Sequence, residues 1–249
     1  MSIPRKDVGT GHFPTPGSSE GKSVQVAAMF DAIAPRYDLL NRILSMGIDR
    51  AWRRRTVALV AEVKPRQILD VATGTGDLAL EALGTGTELV IGVDIAEKML
   101  EVGREKVRKL GLGDRVRLQY GDAARLPFED GQFDAALVAF GVRNFEKLQT
   151  GLEEIRRVLK PGGRFVVLEF SRPRAFPIRQ LYSFYSRHVL PRVGSALSGD
   201  DGAYRYLPAS IAVFPEGAEF LTVMREAGFR EVRDERLTFG IASIYVGTA

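Results

Sequence analysis

The chain contains no cysteine. Disulfides, thiolate nucleophiles and cysteine-ligated metals are therefore excluded. Histidine is almost absent as well, with only His12 and His188. So few imidazoles make a zinc or other transition-metal site an unexpected feature. No run of about 18 apolar residues occurs, which argues against a transmembrane helix. The N-terminal stretch MSIPRKDVGTGHFPTPGSSEGK lacks the apolar centre of a secretory signal. Its Gly, Pro and Ser content reads as a disordered tail over residues 1–23. Together these shortages lead to the expectation of a cytoplasmic protein.

The 249 residues are 45% hydrophobic, enough for one substantial core. A single domain over 24–249 is expected. The net charge is +4. That excess suits an acidic partner such as anionic lipid or nucleic acid, without deciding between them.

Apolar spacing predicts helices from 24 to 63: Val26, Met29, Phe30 and Ile33, then Leu39, Leu40, Ile43 and Leu44, then Trp52, Val57, Val60 and Val63. Asp49 fits an N-cap for the last of these. After Pro65 the pattern changes. Short β-rich runs (ILDVA, ELVIGVD, VRLQY, FDAALVAF, RFVVLEF) alternate with helical stretches at 78–83, 96–110 and 152–159. That alternation predicts an α/β fold with a mostly parallel sheet and helices on both faces. A helix over 216–227 stops at Gly228. Two strands follow, over 231–237 and 241–246, and their short link requires an antiparallel pair. Residues 24–64 form a helical cap in this reading. Residues 171–215, rich in Tyr, Phe, Arg and Pro, form a late insertion on the substrate side of the cleft.

The run ILDVATGTGD over 68–77 is the strongest chemical signal. A strand empties into a small-residue loop, where a ligand can lie against bare backbone. Gly74-Thr75-Gly76-Asp77-Leu78-Ala79 fits the G-x-G-x-x-G/A fingerprint, which alone is weak. Asp94 ends the second strand, where a carboxylate can accept from ribose hydroxyls. NAD and S-adenosylmethionine both offer those hydroxyls. Asp70 separates them: a carboxylate before the loop repels a pyrophosphate and favours an ammonium or sulfonium. Asp122 can accept from an adenine amino group while the Ala123 N–H donates to the ring. The turn Lys160-Pro161-Gly162-Gly163 then ends a helix and starts a strand.

This combination resembles the class I S-adenosylmethionine-dependent methyltransferases from about residue 65 onward. The segments FDAIAPRYDLLNRILSMGIDRAWRRR, ATGTGDLA, FGVRN, LEFSRP, HVLPRVG and YRYLPASI are similar to the ubiquinone/menaquinone biosynthesis C-methyltransferase family, over about 24–246. One departure is Thr73, where many members carry glycine. The resemblance implies the Rossmann-like methyltransferase sheet with an antiparallel C-terminal strand. It implies S-adenosylmethionine held by Asp70, Gly74, Thr75, Gly76, Asp94, Ile95, Met99, Asp122, Ala123 and Ala139, with no metal. It also implies methylation of a ring carbon of a prenylated quinol, with no nucleic-acid partner. The ending LTFGIASIYVG is more like members that convert demethylmenaquinol to menaquinol than like those that also methylate a 2-methoxy-6-polyprenyl-1,4-benzoquinol. A homodimer is compatible with it.

A neutral quinol carbon is a weak nucleophile, so a hydroxyl proton must leave or its anion must be stabilised. The resemblance places Arg143 and Asn144 at the cleft. Arg143, with Asp77 or a water between them, is expected to stabilise the quinolate by charge. Tyr37 is expected on the cap over the site, and His188 is a candidate base. Plainer roles compete. Asp94 fits a helix cap, Asp122 a turn, Arg143 a partner for a helix end or carboxylate, and His188 a structural imidazole. Tyr182, Tyr185, Tyr204 and Tyr206 fit either substrate wall or lid core. Arg50, Arg53, Arg54 and Arg55 around Trp52 suggest a helix lying on anionic membrane, against a solvated face with Trp52 in the core. An NAD-dependent dehydrogenase and an RNA methyltransferase are the rival functions.

Overall fold

The structure is a computed structural model that describes residues 21–45, 47–185, 188 and 202–249. The expected tail lies almost wholly outside the described residues. So do the stretch 189–194 of HVLPRVG and the side chains of Leu40, Ile43, Leu44 and Tyr204.

Seven strands form one sheet in the order β3-β2-β1-β4-β5-β7-β6. They are β1 (Gln67–Val71), β2 (Leu89–Asp94), β3 (Val116–Tyr120), β4 (Phe133–Ala139), β5 (Leu159–Phe170), β6 (Arg230–Leu237) and β7 (Ala242–Thr248). The first five run parallel, and β7 is antiparallel to both β5 and β6. The expected parallel sheet with an antiparallel end is what forms. The position of β7, slotted between β5 and β6, was not legible from the chain order.

Side-chain alternation divides the core into two layers. Leu69, Val71, Ala136, Val138, Phe165 and Val167 pack on one face. There they meet Leu152, Ile155 and Val158 of α6 (Leu148–Val158) and Phe220 and Met224 of the helix Ala218–Glu226. Their sequence neighbours Ile68, Ala135, Leu137, Val166 and Leu168 pack on the other. That face is covered by α3 (Asp49–Ala61), α4 (Asp77–Ala82) and α5 (Glu97–Lys109). Both faces are buried, so the central strands read as continuous apolar runs.

The cap is α1 (Lys22–Ile33), a 3-10 turn (Ala34–Arg36) and α2 (Tyr37–Leu44), followed by α3. The insertion contributes α7 (Ile178–Phe184) and the helix Gly202–Val213. Strand order reverses between β1 and β4, so the loops after these strands open a crevice at their carboxyl ends.

The basic helix differs from the interfacial expectation. Trp52 is only 6% exposed. Its Nε1 donates to Thr238 Oγ1 at 2.8 Å, and its ring meets Phe140 and Phe170. Arg53 pairs with Asp49 at 2.7 Å and Arg55 with Glu235 at 2.8 Å. The helix spacing turns Trp52, Thr56, Leu59 and Val60 inward, so the tryptophan is core. Trp52→Ala is expected to cost about 3–5 kcal/mol. Arg54→Gln, on the exposed side, should stay within about 0.5 kcal/mol. Urea unfolding of both variants checks this.

Candidate functional site

The loop after β1 departs from regular backbone at Ala72 (φ 55°), Gly74 (φ 56°) and Gly76 (φ 79°). Of the two left-handed glycines, Gly74 presents bare backbone to the crevice, and Gly76 turns against the Leu118 side chain. Their path is fixed from outside. Gly74 N donates to Asp94 Oδ2 at 2.7 Å, and Ala96 N donates to Asp94 Oδ1 at 2.9 Å. Asp94 thus holds the glycine loop and the entry to α5 together, while lining the crevice. Gly103 of α5 lies against the same loop. A Cβ there would sit 2.9 Å from the Thr75 carbonyl oxygen.

Thr73 gains a role that the sequence did not disclose. Its hydroxyl donates to Asp70 Oδ2 at 2.6 Å. The space it occupies is left by Gly92, where a Cβ would come within 2.7 Å of Thr73 Oγ1. The threonine on β1's loop and the glycine on β2 are therefore complementary.

Asp70 is fully buried, and desolvation pushes its carboxyl up to about 7 against the pull of the Thr73 hydroxyl. Its Oδ1 atom is buried without a full hydrogen bond, having only a weak approach from the Ala79 N–H. Burial raises Asp94 as well, opposed by the N–H groups of Ala96 and Gly74. Two desolvated acids beside a bare-backbone loop suit a ligand with ribose hydroxyls and a cationic end. These residues fit S-adenosylmethionine.

The crevice is an 80 Å³ cavity. Gly74, Asp94, Ile95, Met99, Asp122, Ala123 and Ala139 line it, together with Tyr37 and Asn144. Asp70, Thr75 and Gly76 stand behind that wall. Thr75 Oγ1 instead donates to Asp38 Oδ1 of α2 at 2.5 Å, which fastens the cap to the loop. Asp122 also accepts from Ala124 N at 2.9 Å, so its turn role and its place in the wall coexist.

A second cavity of 700 Å³ adjoins the first, and Phe30, Tyr37 and Phe140 belong to both walls. It is mainly apolar, with Trp52, Phe170, Ile178, Leu181 and Ile211 among its lining. Tyr182, Tyr185 and Tyr206 line it too, as a substrate wall would. Burial pushes Tyr182 up to about 12 and raises Tyr37, so both keep their protons at ordinary pH.

Arg143 reaches this cavity from the turn after β4. It ion-pairs with Glu169 at 2.8 Å, and their side chains are 5% and 0% exposed. Its Nη1 also donates to the Phe140 carbonyl, its Nε to Ser210 Oγ at 3.2 Å, and its guanidinium lies over the Phe170 ring. Burial raises the Glu169 carboxyl, and Arg143 opposes that rise.

Two expected placements are corrected. Asp77 does not partner Arg143. It pairs with Lys106 at 2.6 Å and Arg53 at 3.6 Å, because α4 carries it away from the β4 turn. His188 is exposed with its ring 5.1 Å from Phe184, and it lines neither cavity. Asp38, Glu169, Gly92 and Gly103 are site residues that pattern reading missed. Only Glu169, an acid inside an apolar strand, carried a visible signal. Among the described residues no group of three or more His, Asp or Glu side chains is placed to hold a metal ion.

A Rossmann-like sheet of this order, with a glycine loop and an acid at the end of β2, defines an S-adenosylmethionine-dependent methyltransferase of class I. Residues 18–249 match the model of the ubiE/COQ5 methyltransferase family, and the chain belongs to that family. The demethylmenaquinone methyltransferase of Bacteroides fragilis is 49% identical over 94% of this chain and 96% of its own. That of Thermus thermophilus is 52% identical over 88% and 99%. A Geobacter ubiquinone/menaquinone biosynthesis C-methyltransferase is 46% identical over 91% and 97%. Among solved structures, a Thermotoga maritima S-adenosylmethionine-dependent methyltransferase superposes with TM-score 0.59 at 20% identity, covering 88% of this chain and 97% of that one. The [4+2]-cyclase SpnF does so with TM-score 0.54 at 21% identity, covering 91% and 95%. These two share the fold alone.

Asp70 sets a pH dependence. Its folded value is raised, so the fold favours the protonated acid. That stabilisation is fully present below about 4 and is lost as pH rises through about 7. Asp70→Asn removes the ionisation. Its stability relative to wild type, without cofactor, should rise by on the order of 2 kcal/mol between pH 5 and pH 7. Denaturant unfolding at the two pH values measures the change.

Proposed function

We propose that this protein transfers a methyl group from S-adenosylmethionine to the ring carbon of demethylmenaquinol, yielding menaquinol. The observation that carries the reading is the junction of the two cavities at Phe30, Tyr37 and Phe140, with Arg143 in the wall of the larger. One cavity suits the polar cofactor. The other suits an apolar ring with a prenyl tail.

S-adenosylmethionine supplies an electrophilic methyl group on its sulfonium. Asp94 would accept from the ribose hydroxyls, and the bare Gly74 backbone would lie against the cofactor. Asp122 and Ala123 would hold the adenine. Asp70 stands behind Thr73, where a bound cationic end would draw it toward its ionised form and be balanced by it. Tyr37 closes the wall between the cavities, and the cap excludes water. The stacked pair Phe140 and Phe170, 4.4 Å between centroids, offers the quinol ring a flat face. Arg143, whose guanidinium lies over the Phe170 ring, holds a fixed positive charge that would stabilise the quinolate oxygen as the ring carbon takes the methyl group. Glu169 keeps Arg143 in place. The hydroxyl proton leaves to water as the quinolate forms; after transfer the ring proton also leaves to water, restoring the aromatic ring, and the oxygen regains a proton, so one proton is released overall. None of these roles calls on a metal ion. The prenyl tail partitions into lipid, so the reaction belongs at the cytoplasmic surface of a membrane. No helix among the described residues is long and apolar enough to cross one.

The benzoquinol of ubiquinone biosynthesis is the second reading. It is favoured by the Geobacter relative, named for both quinones. Expression in a strain lacking its own quinol C-methyltransferase, with quinone profiling, decides between them. Restored menaquinone alone supports the first reading, and restoration of neither quinone overturns both.

Kinetics test the residue roles. Arg143→Lys keeps a charge but loses the planar fork. It should lower kcat by about 100-fold, with S-adenosylmethionine affinity changed less than about threefold by calorimetry. His188→Ala should leave kcat/KM and its pH profile at wild-type values. Wild-type kcat in Arg143→Lys, or a lost pH limb in His188→Ala, would reverse the assignment.

A further inference from the structure

The mouth of the large cavity carries an unusual surface. Phe176 is 80% exposed, Val213 83% and Phe239 77%, and Leu181 and Phe184 are each more than half exposed. Large apolar side chains grouped on one face mark a binding surface. These residues come from three segments that the backbone draws together. Ser171 N donates to the Ile241 carbonyl at 2.9 Å, and Ser171 Oγ to the Gly240 carbonyl at 2.9 Å. Arg172 Nη1 donates to the Ala212 carbonyl at 3.3 Å. Arg179, Leu181 and Phe239 all line the large cavity, so the exposed face is continuous with its apolar interior.

The exposed charge of the 171–184 segment has one sign. Between residues 171 and 184 the sequence holds Arg172, Arg174 and Arg179, with no acid and no lysine. Arg172, Arg174 and Arg179 are exposed beside the apolar group. Both arginines nearest β5 share a single carboxylate, Glu216, at 3.5 and 3.7 Å, and that acid is buried. Exposed phenylalanine and leucine among arginines match the boundary between acyl chains and anionic headgroups.

We propose that this face, formed by residues 171–184, Val213 and Phe239, docks on an anionic phospholipid bilayer and opens the large cavity directly to lipid. The inference rests on the apolar-acceptor reading above and deepens it. The substrate enters and leaves sideways from the membrane, with its ring reaching Phe140 while its tail stays near Leu181 and Phe239. The docking surface is not the basic helix α3, whose tryptophan is core.

The test is sedimentation of the full-length protein with vesicles of phosphatidylcholine alone, and with vesicles that are roughly one third phosphatidylglycerol. Wild type should partition onto the anionic vesicles and not the neutral ones. Arg174→Gln should weaken partitioning about fivefold, and Arg174→Gln with Phe176→Asp and Val213→Asp at least about tenfold. None of these three side chains lines either cavity. The triple variant should therefore methylate a short-chain, water-soluble quinol at the wild-type rate. Arg50→Gln with Arg54→Gln, on α3, should partition like wild type. The proposal is overturned if wild type binds neither vesicle, if the triple variant partitions unchanged, or if only the α3 variant loses binding. A wild-type dimer in light scattering that the triple variant converts to monomer would assign the face to a second copy instead. Partitioning is read without turnover, so the outcomes separate. Vesicle binding without methylation of the short quinol overturns the acceptor reading, and methylation without vesicle binding overturns the docking face.

Discussion

The site depends on the buried ion pair between Arg143 and Glu169. An arginine and a glutamate removed from water lose several kcal/mol of solvation each, and only tight geometry with further hydrogen bonds compensates. Here the compensation comes from separate parts of the chain. Glu169 belongs to β5 and Arg143 to the turn after β4. Ser210 of the insertion meets the guanidinium, and Lys22 of the cap donates to the Arg143 carbonyl at 3.1 Å. Sheet, cap and insertion therefore converge on one charge. A rigidly held, buried cation at the cavity wall is the chemical result, and its setting is complete only when all three parts are in place.

The cofactor side is held by a second constraint, space. Thr73 fits because Gly92 has no side chain, and the loop fits against α5 because Gly103 has none. The cap then closes through Asp38, which accepts from Thr75 and pairs with Lys106 at 2.7 Å. Lys106 also pairs with Asp77, so α2, α4 and α5 share one cation. The acid that closes the glycine run thus belongs to the latch on the cap and pairs with Lys106 in place of Arg143.

Much of the fold was legible because its signals are local. Each β-rich run became a strand, and the helical spacing of the first segment became α1 to α3. The acids Asp94 and Asp122 line the crevice because one ends β2 and the other follows β3 at the same carboxyl edge of the sheet. Trp52 was ambiguous. Its helix carries arginines on several sides, and only the packing of Phe140 and Phe170 shows which side is inward. Asp77 was misread because adjacency to the loop says nothing of the direction in which α4 leaves it. His188 attracted attention by rarity, which is no guide to position.

The sequence by itself determined the α/β class, the cofactor loop and the acids around it. Strand propensity, glycine freedom and carboxylate chemistry all act within a few residues of their origin. Only the tertiary structure decided that Glu169 restrains Arg143, that Gly92 makes room for Thr73, and that two cavities meet at Phe140. Each of those pairs residues from different elements. Their proximity follows from sheet order and helix packing, which no local pattern of residues contains.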